Sequence, residues 1–187
     1  MFICGDSAGG NIAHHIAVRY GSGQLALDPV IRIAGCILLW PFFAAEERTV
    51  SEVASLVDEH GTVLFDQMWR LALPAGATRD HPAANPFGPE AAAGGPGGPA
   101  PGELPAMLVA AGDRDMLIDR VREFVARVQA AAAGNNNRRV DLVEFPGAGH
   151  GFAIFEPDGE AAGELVRVLR RFVHGGDGAA SPAPRSV

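Results

Sequence analysis

Cysteine is scarce in this chain: there are two among 187 residues, Cys4 and Cys36. Each lies in an apolar, strand-like run, so both are read as buried free thiols. No disulfide framework is indicated, and a reducing compartment fits best. A block of basic residues is also lacking, and the formal net charge is -7. That argues against nucleic acid or an anionic membrane as a partner. Long hydrophobic runs are missing too. The longest, residues 33–45, is interrupted by Gly35 and Pro41 and is too short to span a bilayer. The first residues lack the basic and apolar regions of a secretory signal. A cytoplasmic location, extending to the nucleus, is therefore the expectation. No His/Cys cluster has zinc spacing, and the Gly-rich segments do not follow G-x-x-x-x-G-K. No metal or cofactor is expected.

What remains is an ordinary soluble composition, 48% hydrophobic and 20% charged, of a length that fits one domain. Residues 1–4 read as the end of a buried strand, and residues 5–10 as a turn. Ile12, Ala13, Ile16, Ala17 and Tyr20 recur at helical spacing. Residues 32–43 read as a second strand; a continuous apolar run suits a parallel strand covered on both faces. Residues 51–73 read as a helix in two pieces, divided near Gly61. Residues 107–111 and 140–145 read as further strands, the latter near a sheet edge. Residues 117–133 and 160–173 carry helical stripes. Residues 91–102 are almost wholly Ala, Gly and Pro, a flexible insertion. A polar turn is read at residues 135–137, and a disordered tail over residues 174–187. No internal repeat is present. Alternating strands and helices imply an α/β fold with a mainly parallel sheet flanked by helices, forming one domain over residues 1–173.

Gly5-Asp6-Ser7-Ala8-Gly9 fits G-x-S-x-G. A nucleophile on a sharp strand-to-helix turn needs backbone angles that side chains crowd. Small residues two before and two after the Ser relieve that crowding. Ser7 is thus the candidate nucleophile. The Ala8 N–H opens the following helix and is the candidate oxyanion donor.

A serine hydroxyl needs a base, and the base an orienting carboxylate. For this elbow the chain order is Ser, then acid, then His. Of six His, His14 and His15 lie on the elbow helix itself and read as packing or supporting residues. His60 and His81 come before the third strand, and His174 lies beyond the last helix. His150, flanked by glycines directly after the fourth strand, is the base by position. After the third strand Asp113, Asp115 and Asp119 compete as the acid. Spacing favours Asp115 slightly over Asp113.

Together these residues resemble a known group. Gly5-Asp6-Ser7-Ala8-Gly9-Gly10-Asn11 is similar to the elbow of the hormone-sensitive-lipase-like branch of α/β-hydrolases. The longer GDSAGGNIAHHIAVR resembles plant carboxylesterases and the gibberellin receptors related to them. WPFF at residues 40–43, WRLALP at 69–74, DHPAANPFGP at 80–89, GDRDMLID and GHGF extend the match. The resemblance implies a serine carboxylesterase acting on a small to medium, largely apolar ester. It maps the acid onto Asp115, the first Asp of a D-x-L-x-D-like stretch, and the base onto His150. The receptors lack a working catalytic His, so His150 favours an enzyme over a receptor. It also implies that the segment with Phe65, Met68 and Trp69 covers the acyl pocket; a plain core role fits those residues equally. The expected partner is a small-molecule ester, and no protein partner can be read.

One departure stands out. The family's His-Gly-Gly-Gly oxyanion loop, which precedes the elbow, has no counterpart in this sequence. The expectation is the C-terminal part of a longer hydrolase: an incomplete gene model, a shortened paralogue or a cut fragment. Its elbow strand would then be a sheet edge prone to aggregation.

Overall fold

The computed structural model describes residues 1–55, 61–92, 104–132 and 139–175. The divide between the two helical pieces, His60, most of the 91–102 insertion, the 135–137 turn and nearly all of the 174–187 tail lie outside the described residues.

The elements run β1 (Phe2–Asp6), α1 (Ala8–Gly21), β2 (Gly35–Leu39), α2 (Val50–Ala54), α3 (Gly61–Ala72), α4 (Pro89–Ala92), β3 (Ala106–Gly112), α5 (Ile118–Ala132), β4 (Val140–Phe145), α6 (Phe152–Phe155) and α7 (Glu160–His174). All pairings are parallel, in the order β1-β2-β3-β4. The expected α/β class with a parallel sheet is what the chain forms.

Strand alternation decides the two faces. Met107, Val109 and Ala111 of β3 meet Ala13 and Ala17 of α1 and Val121, Phe124 and Val128 of α5. Leu108 and Ala110 point the other way, toward Leu165, Val168 and Phe172 of α7. Both faces are covered, which is why β3 carries an unbroken apolar run. Each of the Val, Leu, Met and Phe side chains among these contributes about 1.5–3 kcal/mol when fully buried.

The α7 helix buries Ala162, Leu165, Val168 and Phe172, spaced so as to share one side. It ends at Gly175, which takes a left-handed conformation (φ 69°) where a side chain is disfavoured. The α2 helix begins with a capping box: the Thr49 hydroxyl accepts the Glu52 N–H, and the Glu52 carboxylate accepts the Thr49 N–H. The signature Thr-x-x-Glu stood in the sequence.

Several boundaries differ from the sequence reading. The expected turn over residues 5–10 shrinks to Ser7, because Gly5 and Asp6 continue β1 and Ala8 already begins α1. The second strand is shorter than the apolar run, since Trp40 turns the chain with φ 35° and Pro41 follows. The short helices α4 and α6 carry no periodic pattern long enough to be read from sequence. Cys36 is buried, but Cys4 is exposed, which corrects the reading of two buried thiols. Cys4 sits on β1, an edge strand that pairs only with β2 among the described residues. Phe2 and Ile3 of that strand are half-buried against the two cores.

Candidate functional site

Parallel register brings the carboxyl ends of the strands to one edge. Asp6 aligns with Leu39, Leu39 with Ala110, and Gly112 with Phe145. The loops that follow β1, β3 and β4 therefore open onto a common space.

Ser7 occupies the turn after β1 with φ 49° and ψ -116°, a conformation that costs an L residue about 1–3 kcal/mol. Neighbouring backbone holds it there. Its N–H donates to Leu39 O at 2.9 Å, and its carbonyl accepts from Phe42 N at 2.9 Å and Asn11 N at 3.2 Å. Crowding is severe at Gly5, where a Cβ would lie 2.1 Å from Gly9 O. It is moderate at Gly10, where a Cβ would lie 3.1 Å from Pro41. At Gly9 itself a Cβ would meet only Asp6, at 3.8 Å. The elbow thus demands the glycine before the serine more than the one after it.

Three of the side chains named from sequence come together. The Ser7 Oγ lies 2.9 Å from His150 Nε2, and His150 Nδ1 lies 2.8 Å from Asp115 Oδ2. An ionised carboxylate can only accept, so Nδ1 carries the proton, and Nε2 accepts from the Ser7 hydroxyl. Asp115 is 1% exposed, and its Oδ1 accepts the Leu117 N–H at 2.9 Å. The imidazole is partly open to solvent, and the Phe65 ring meets its edge with centroids 5.6 Å apart. Ala8 is the first residue of α1, so its N–H belongs to the first turn, where amides have no helical acceptor.

The competing carboxylates have other partners. Asp113 Oδ1 accepts the Gly147 N–H at 2.7 Å. Asp119 Oδ2 accepts the Ser51 N–H at 2.9 Å. His14 is buried among Phe43, Phe124 and His15, and neither ring nitrogen has a hydrogen-bond partner among the described residues. Burial, then the neighbouring His15, pushes its pKa down to about 3. His15 lies 3.1 Å from Ala83 O, and the His81 Nδ1 accepts the Ala83 N–H. His174 is exposed at the end of α7.

The Phe65 segment divides. Phe65 and Trp69 both pack on Phe42 at 4.9 Å, whereas Met68 is exposed. The cavity beside them, between Phe42, Phe65, Trp69, Met116 and Leu117, holds about 10 Å³. That is room for one water, not for an acyl chain.

Sequence reasoning missed Asn11. Its buried amide donates to Phe42 O at 3.1 Å and to Ala83 O at 2.9 Å, tying the elbow helix to two loops. Its place inside the glycine-rich elbow was the available signal.

Comparison with known proteins identifies the family of the fold. Residues 1–154 match the family described as alpha/beta hydrolase fold. Gibberellin receptor GID1B of Arabidopsis thaliana is 34% identical over 177 residues, which cover 93% of this chain and 44% of that protein. Probable carboxylesterase 2 of the same plant is 30% identical over 93% of this chain and 51% of its own length. The chain thus spans about half the length of the curated relatives it matches. A thermophilic carboxylesterase cloned from a metagenomic library superposes with a TM-score of 0.68 at 24% identity, over 94% of this chain and 54% of that one. The Pyrobaculum calidifontis esterase gives a TM-score of 0.68 at 23% identity, over 90% and 50%. Among the described residues no helix is long and apolar enough to cross a membrane. With its elbow, its parallel sheet and these relatives, the chain belongs to the α/β-hydrolase family.

Proposed function

We propose that this chain carries the triad of a serine carboxylesterase acting on a small to medium, largely apolar ester. The observation that carries the reading is the continuous path from Ser7 Oγ through His150 to Asp115, with contacts of 2.9 and 2.8 Å.

The mechanism follows from those contacts. His150 Nε2 takes the hydroxyl proton as Ser7 Oγ attacks the ester carbonyl. The Ala8 N–H donates to the oxygen that becomes negative. The tetrahedral intermediate then collapses: the bond to the alcohol breaks, and His150 protonates the leaving oxygen. An acyl group remains on Ser7. Water, deprotonated by His150, repeats the sequence and releases the acid. Asp115 holds the imidazole in its Nδ1–H tautomer and stabilises the imidazolium.

A second reading rests on the relatives, among them proteins named gibberellin receptors. It assigns the site to small-molecule binding without turnover.

A fluorophosphonate probe separates the two. Intact-protein mass is measured on the chain and on Ser7→Ala. The esterase reading expects one adduct on the wild type and none on the variant. Tight ligand binding by a folded sample that forms no adduct would support the receptor reading instead.

A further inference from the structure

Segment 46–52 was not singled out in the sequence, yet it touches both sides of the site. Toward the cover, Arg48 pairs with Asp66 of α3, the helix that sets Phe65 against His150. Toward the acid, the Ser51 hydroxyl donates to Met116 O at 2.8 Å, and the Ser51 N–H donates to Asp119 Oδ2 at 2.9 Å. Met116 and Asp119 bracket Leu117, whose N–H holds the Asp115 carboxylate.

One residue further on, Glu52 is 2% exposed. Its two oxygens accept from Arg120 Nε at 3.1 Å and Nη2 at 3.0 Å. Arg120 also donates to Glu47 O. The start of α5 is thus clasped at Met116, Asp119 and Arg120 by one short stretch of chain. A buried, bidentate Arg–carboxylate pair fixes distance and orientation together.

We propose that Ser51 and Glu52, with Asp119 and Arg120, are positioning residues that hold the 115–117 loop, and through it the Asp115 carboxylate, against His150. The inference rests on the esterase reading for its kinetic consequence, but not for its structural one. If the clasp slackens, the Leu117 N–H shifts. The carboxylate then turns away from Nδ1, and the imidazole loses its fixed tautomer. Misplacements of this size cost about tenfold to a hundredfold in rate.

The test uses Ser51→Ala, which deletes one hydroxyl in a half-buried position, and Ser51→Thr, which keeps it. Val168→Ala, in the α7 core remote from the clasp, controls for lost stability. Two quantities are read on folded samples. One is fluorophosphonate labelling, resolved into maximal rate and half-saturating concentration. The other is the proton NMR resonance of the His150 Nδ1–H that binds Asp115, read without any turnover.

The proposal expects Ser51→Ala to lower the maximal rate about tenfold or more at unchanged half-saturation, and to broaden or erase the resonance. Ser51→Thr restores both, and Val168→Ala moves neither. A Ser51→Ala protein that keeps rate and resonance overturns it. So does a Val168→Ala protein that loses both equally, or a folded wild type with no such resonance. A wild type that resists labelling, yet loses its resonance on Ser51→Ala, removes the esterase reading and keeps the clasp.

Discussion

Asp113 Oδ1 accepts the Gly147 N–H at 2.7 Å, so the loop that carries Asp115 is tied to the loop that carries His150. Gly147 takes φ 74° at that point. Two further bonds follow the same seam, Asp113 N to Phe145 O at 3.1 Å and Arg114 N to Ala148 O at 3.0 Å. Close approach of the two loops is built in at Gly112, where a Cβ would lie 2.0 Å from Ala148 O.

That division of labour between carboxylates makes a prediction. Asp115→Asn keeps the shape but donates where Nδ1 must donate, so the wrong His tautomer is held. Labelling of Ser7 should fall about 10⁴-fold. Asp113→Ala removes an exposed hydrogen bond and should cost about tenfold or less. Pseudo-first-order labelling rates on the two variants check the order. A larger loss at Asp113 would reverse the assignment of the acid.

Gly5→Ala should damage the protein more than Gly9→Ala. The added methyl meets backbone at 2.1 Å in the first case and a flexible carboxylate at 3.8 Å in the second. Overpacking of this kind costs about 1–3 kcal/mol or more. Urea unfolding midpoints give the comparison, and Gly5→Ala should have the lower one.

Acid should weaken the fold through His14. Burial lowers its folded-state pKa from 6.5 to about 3, so the folded protein refuses a proton that the unfolded chain accepts. Its contribution to stability is complete above pH 6.5 and is lost as pH falls toward 3. By linkage the loss reaches about 2 kcal/mol at pH 5. His15, also lowered by burial, adds in the same direction. His14→Leu should flatten the fall in melting temperature between pH 7 and pH 5. An unchanged slope would refute it.

The two thiols should differ. Cys36 is buried, and burial raises its pKa to about 12. Cys4 is exposed on the edge strand, with its pKa raised by partial burial and by Asp6. Iodoacetamide at pH 8 should therefore add one label slowly to the native chain, at Cys4. A second should appear only on unfolding. Peptide mapping by mass spectrometry locates each.

The sequence by itself determined what local chemistry controls. An apolar run, small residues on either side of Ser7, and helical spacing from Ile12 to Tyr20 mark strand, elbow and helix without any distant partner, although Ile12 itself proves exposed. Chain order then singled out Ser7 and His150, since each follows its own strand. The choice among Asp113, Asp115 and Asp119 was different. Three carboxylates within seven residues differ little in pattern: spacing leaned only slightly toward Asp115, and the resemblance made the choice. Tertiary structure separated them, because each meets a different neighbour: Gly147 of the His loop, His150, or Ser51 of α2. The same holds for Cys4, apolar by context yet exposed at a sheet edge. It holds for His14, polar by type yet enclosed by Phe43 and Phe124. It holds also for the Glu52–Arg120 pair, joined across 68 residues. Burial and long-range pairing are properties of packed neighbours. Periodicity records which face a residue occupies, and only the assembled layers decide what covers that face.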